Sequence, residues 1–293
     1  MRGAVPRLSL TLLAAESGAR LCAIIHYLVR GQLGWFGLTI ACLVPGYAAQ
    51  LLSILWFRAD GHTPGCWLLA LHLLQLGLWK SFPKPGWASR DGDSCRYWDV
   101  ARAAAEAGGG AREVLAQLGD VCVLRLLEAL LQTLPHLLLQ AYVVVAVDPA
   151  GVIPGVSAGL SLLSLAWALV SYSHFTCLLK PGHLSPPAAV LLCLLLWRTG
   201  MLGTRVLALV LFARLYSFWV FAVAGVHWLL MSFWLGAQQT DIVAQPCCWR
   251  LFNCLLGAVY IFCYINVRPG PSKTRVAVFY TVSTWNVLYS TWM

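Results

Sequence analysis

Five polar side chains recur through one apolar stretch, VCVLRLLEALLQTLPHLLLQAYVVVA, at residues 121–146: Arg125, Glu128, Gln132, His136 and Gln140. Their types admit three chemistries: acid–base catalysis, passage of a charged or zwitterionic group, or ion pairing between helices. At 100° per residue they fall within about 120° of one helix surface and climb about 22 Å along it. Glu128 and His136 are too far apart on one helix to act on the same proton. The chain also contains no nucleophile elbow, no HExxH metal motif and no phosphate-cradling glycine loop. The sequence therefore predicts neither an enzyme nor a bound cofactor.

Further charges lie in other apolar runs. Glu16 and Arg20 are four apart, Arg198 and Arg205 seven apart, so each pair shares a helix face. An ionised group at the bilayer centre costs about 2.5–3.5 kcal/mol on the insertion scale, so these groups are expected to face protein or water. Two readings follow. In one, the polar residues form a track for a headgroup, ion or solute; in the other, they form buried ion pairs that fix helix packing.

The elements that must position them are membrane helices. Hydrophobic residues make up 60% of the 293-residue chain and charged residues 11%, against about 25% charged in a soluble domain. Six runs are long enough to cross a bilayer: 8–29, 33–57, 119–147, 154–179, 187–213 and 216–237. Cys66–Trp79 is short, and Leu251–Val267 is interrupted by Asn253, Gly257 and Asn266, so both are expected as re-entrant half-helices. That arrangement puts fourteen Lys and Arg residues on the side of the N-terminus and leaves Arg30 and Arg214 on the other. If both segments crossed, the bias would disappear. A cytoplasmic N-terminus follows.

One membrane-embedded domain over residues 1–293 is expected, with a Gly- and Pro-rich cytoplasmic loop at 81–118 and an incomplete or altered last span at 276–293. The first apolar run resumes through LCAIIHYLV, which favours an uncleaved helix over a signal peptide. The formal charge of +9 is spread through short loops flanking the spans, so it orients the protein and implies no nucleic-acid partner. The eleven cysteines show neither disulfide nor zinc spacing. Cys247 and Cys248, adjacent at a membrane boundary, are candidates for palmitoylation.

The motif LRLLEALLQTLPHLLLQ (124–140) resembles the signature helix of the XK-related membrane proteins. WFRADGH, LHLLQLG, WALVSY, KPGH, GTRVLALVLF, AVAGVHWL and WRLFN support the resemblance over most of the chain. It implies an all-α bundle of paired repeats with re-entrant half-helices. It further implies scrambling of phospholipids between leaflets, including phosphatidylserine exposure in apoptosis, or partnership with a single-span membrane protein. Membrane phospholipids and such a protein are thus the expected partners, at the plasma membrane. By position, the family's headgroup-guiding residues map onto Glu16, Arg20, Glu128, Gln132 and Arg205, with Gln132 standing where a second acidic residue is usual. The rival expectations are a non-transporting scaffold or accessory subunit and a solute transporter.

Overall fold

A computed structural model describes residues 4–59, 111–147, 151–178, 187–237 and 246–263, together with Ala277, Phe279 and Thr281. The described regular elements are all helical. They are α1 (Ala4–Val29), α2 (Leu33–Ala41), α3 (Gly46–Ala59), α4 (Ala111–Glu128), α5 (Leu134–Tyr142), α6 (Val152–Leu178), α7 (Ala188–Tyr216), α8 (Trp219–Ala237) and α9 (Pro246–Val259). Two π-helical segments, Ala129–Thr133 and Val143–Val147, flank α5. Among the described residues six segments are long and apolar enough to cross a membrane, and they coincide with the six runs expected from sequence. The chain is an all-α polytopic membrane protein.

The helices divide into two compact units, Met1–Gly200 and Met201–Met293, with the boundary inside α7. In the first unit α6 is the hub, packing against α1, α4, α5 and the π-helical segments. Every residue from Ser164 to Val170 is buried, so α6 is enclosed on all sides there. The helix around it reverses the pattern of a soluble protein. On α1, Leu13, Glu16, Arg20, Ala23 and Tyr27 are buried while Leu21, Ile25, Leu28 and Val29 are exposed. Charge turns inward and leucine outward because the surroundings are hydrocarbon, where apolar side chains cost nothing and ionised ones cost several kcal/mol, about 3 by insertion.

Local chemistry sets the ends of these helices. α1 stops at Gly31, whose φ of 68° is open to glycine. Gln32 N–H then donates to Tyr27 C=O and Gly31 N–H to Leu28 C=O, the paired bonds of a Schellman ending. The span at 33–57 is built of two helices with a turn at 42–45 between them. Pro45 offers no N–H, and the chain passes the break on three-residue turns such as Gly46 N–H to Leu43 C=O. α4 begins at Ala111, inside the stretch expected as loop. Cys66–Trp79, most of the 81–118 loop and most of 276–293 lie outside the described residues.

The π-helical segment at 129–133 has a direct consequence for the polar residues. Steps of four residues overshoot a 3.6-residue turn by about 40° each, which spreads the stripe over about 120° of an ideal helix. A π turn is wider and absorbs part of that overshoot. Arg125, Glu128, Gln132, His136 and Gln140 are all buried.

The broken span presses its second half against this segment. A Cβ built on Gly46 would lie 2.8 Å from Gln132 Cδ and 3.1 Å from Gln132 Cβ. Gln132 is fully buried and has little room to yield. Gly46→Val is therefore expected to lower the melting temperature in detergent, through overpacking of about 1–3 kcal/mol. Adding Gln132→Ala should recover most of the loss, and a double variant no better than the single would refute the contact.

Candidate functional site

Two clusters of buried polar side chains occupy the first unit. The larger centres on Glu16, 1% exposed. Its Oε1 accepts from Arg20 Nη2 at 2.5 Å and from Thr133 Oγ1 at 2.6 Å. Its Oε2 accepts from Arg125 Nη2 at 2.7 Å and from Ser164 Oγ at 2.5 Å. Arg125 also gives Nη1 to Glu128 Oε2 at 2.7 Å and Nη2 to Ser164 Oγ. One carboxylate thus ties α1 to α4, to the first π-helical segment and to α6. Two glutamates and two arginines balance in charge, which a buried ionic group requires.

The smaller cluster is neutral. Tyr27 Oη donates to Gln140 Oε1 at 2.7 Å, Gln140 Nε2 lies 3.5 Å from His136 Nε2, and His136 Nδ1 lies 3.3 Å from Ser161 Oγ. The amide N–H can only donate, so Nε2 of His136 accepts and Nδ1 carries the proton towards Ser161. Tyr27 also packs with Ala23 and Val143 beneath Trp35 and Phe36.

The structure therefore brings together Glu16, Arg20, Arg125 and Glu128 in one network, and His136 with Gln140 in another. Gln132 lies between them in sequence and meets Gly46 of α3. Thr133, Ser161, Ser164 and Tyr27 do not stand out by residue type alone. A signal was present: Ser157, Ser161 and Ser164 are spaced four and three apart on α6 and are each 1% exposed.

The two arginines of α7 have other surroundings. Arg198 is half-buried with its guanidinium 5.1 Å from the Trp197 ring centre. Arg205 belongs to the second unit, where Nη1 donates to Phe262 C=O at 3.0 Å and the guanidinium stands 4.8 Å over the Phe279 ring. Of the segment expected as a half-helix at 251–267, the described part lies in α9 and the turn after it; the 14 residues of α9 span about 21 Å, short of a bilayer core of about 30 Å. Its carbonyl end needs partners away from water. Backbone turns supply some: Tyr260 N–H bonds Leu256 C=O, and Cys263 N–H bonds Val259 C=O. His227 Nε2, 3.3 Å from Tyr260 C=O, and Arg205 serve the carbonyls of the turn beyond. A cation at this end also opposes the helix dipole. Cys247 and Cys248 fall in the first turn of α9. No group of three or more His, Cys, Asp or Glu that could hold a metal occurs among the described residues.

Comparison with known proteins agrees with this architecture. A family model described as XK-related protein matches residues 5–292. The chain belongs to the XK-related family. XK-related protein 8 of Pan troglodytes is 29% identical to it over 299 aligned residues, covering 95% of this chain and 72% of that protein. The matched region takes in both polar clusters and the α9 end, so all of them are built within the family's fold.

The Arg205 cap generates a test. Arg205→Met removes the donor and the charge at the α9 end and is expected to lower thermal stability in detergent by about 1.5–3 kcal/mol. Arg205→Lys should recover part of this, since a cation is retained while the fork geometry is lost. Equal stability of Arg205→Met and wild type would remove the capping role.

Proposed function

We propose that the chain moves phospholipids between leaflets, as a scramblase-like protein of the plasma membrane with its N-terminus in the cytoplasm. The observation that carries this reading is the charge-balanced Glu16–Arg20–Arg125–Glu128 network buried between two membrane-spanning helices. A zwitterionic headgroup has the same two constituents, and an anionic one carries one negative group more. Its phosphate can replace a glutamate on Arg125 or Arg20, and its amine can replace an arginine on Glu16 or Glu128. For a zwitterionic headgroup the exchange ends with every charge paired, which lowers the barrier in hydrocarbon; the additional carboxylate of phosphatidylserine needs one further donor.

Glu16, Arg20, Arg125 and Glu128 are all less than 10% exposed, so the described arrangement is the closed state of this route. Opening requires α1 to part from α4 and α6. Gln132, His136 and Gln140 would continue the route along the same helix by hydrogen bonding. Lipid tails stay in the bilayer throughout, and transport runs down the concentration gradient with no cofactor. A single-span membrane protein is a fitting partner on an outward helix face, and palmitoylation of Cys247 or Cys248 would add an anchor.

A second reading is favoured by one feature of the same network. Four donors saturate Glu16, as expected of a purely structural knot in a scaffold or accessory subunit. Reconstitution separates the two. Full-length protein in liposomes carrying fluorescent phosphatidylserine should let dithionite bleach inner-leaflet lipid. Glu128→Gln, which keeps side-chain size and removes the charge, should slow this about tenfold or more while the protein still elutes as a folded species. Folded wild-type protein that moves no lipid, with or without a co-expressed partner, would support the scaffold reading instead.

A further inference from the structure

We propose that Gln50 holds an ordered water molecule deep in the first unit, bridging α3 to the Glu128 end of the ion network. Gln50 is 2% exposed. Neither its Oε1 nor its Nε2 has a hydrogen-bond partner among the described residues. An amide withdrawn from solvent with both of its polar atoms dry is strongly disfavoured, and buried water is the usual partner of such a group.

The helix register identifies what stands opposite. α3 begins at Gly46, which abuts Gln132, and then packs along α4. It therefore runs antiparallel to the helix of the polar stripe. One turn beyond Gly46, Gln50 comes level with Glu128, one turn before Gln132. Gly46, Ala49, Gln50 and Ser53 are all buried and form one face of α3 at helical spacing. On the opposing chain Glu128 offers a carboxylate; in the π-helical segment Leu134 N–H goes to the Ala129 carbonyl, and Pro135 has no N–H to give the Leu130 carbonyl. A water between them would accept from Gln50 Nε2 or donate to Gln50 Oε1, and donate to the carboxylate or a freed carbonyl. That provides the two to four polar contacts a buried water needs. The inference is independent of lipid movement, since it concerns hydration of the closed state.

The test is a density map of the full chain in lipid nanodiscs, resolved finely enough to show ordered water. A peak within hydrogen-bonding distance of the Gln50 amide and of a polar atom between residues 128 and 135 is expected. A Gln50 amide packed only against apolar atoms, or bonded directly to protein, overturns the proposal. Gln50→Met supplies a second reading. If water is held there, the isosteric apolar chain strands its other partners and lowers the melting temperature by a few degrees. If the site is dry, the same change leaves stability unaltered or raises it, which also overturns the proposal. Should Gln50→Met fail to fold, the map of the unaltered protein decides.

Discussion

The first unit depends on a single carboxylate. Glu16 receives four hydrogen bonds from Arg20, Thr133, Arg125 and Ser164, and these donors belong to α1 itself, the stripe helix and α6. In a bilayer the hydrophobic effect gives helices no reason to prefer one another over lipid. Association rests on close packing and on polar groups that find better partners in protein than in hydrocarbon. Glu16 is such a group. Removing its partners would leave a charge where the insertion cost is about 3 kcal/mol, so the three elements must meet.

The rest of the architecture accommodates that demand. The π-helical segment holds Arg125, Glu128 and His136 on the inward side, and the Cys42–Pro45 break lets α3 approach Gln132 through Gly46. Outward faces are left to apolar side chains, aliphatic along α1 and joined by Trp and Phe along α7 and α8. In the second unit the same rule acts on backbone rather than side chains. A helix too short to cross ends among carbonyls, and Arg205 and His227 supply the donors.

Much of this could be read from residues alone. The six spans follow from apolar length, and the inward stripe from the spacing of Arg125, Glu128, Gln132, His136 and Gln140. Glu16 and Arg20 follow from a four-residue step. What could not be read is how the chain departs from ideal helix. Hydropathy sees 33–57 as one run because Pro45 and Gly46 barely alter its apolarity, although they split it. The π turns leave no mark on hydropathy, and Pro135 alone signals only a kink. Arg205 shares a face with Arg198 on paper, yet its partner is the Phe262 carbonyl, a backbone group that residue type cannot reveal. Thr133 and Ser164 do not stand out in the sequence because Ser and Thr are ordinary packing residues in membrane helices. Only the tertiary approach of Glu16 gives them a particular role.

The interaction between Glu16 and Arg125 is the most direct measure of whether this network organises the fold. A double-mutant cycle with Glu16→Gln, Arg125→Met and both together, read as thermal unfolding in detergent, isolates it. Each single change should destabilise strongly, by about 3–5 kcal/mol, because the other charge is left buried without its partner. The double variant should be distinctly more stable than the sum of the two, with an interaction energy of about 2–3 kcal/mol. Single losses that merely add, or singles as stable as the unaltered protein, would contradict a fold held on Glu16.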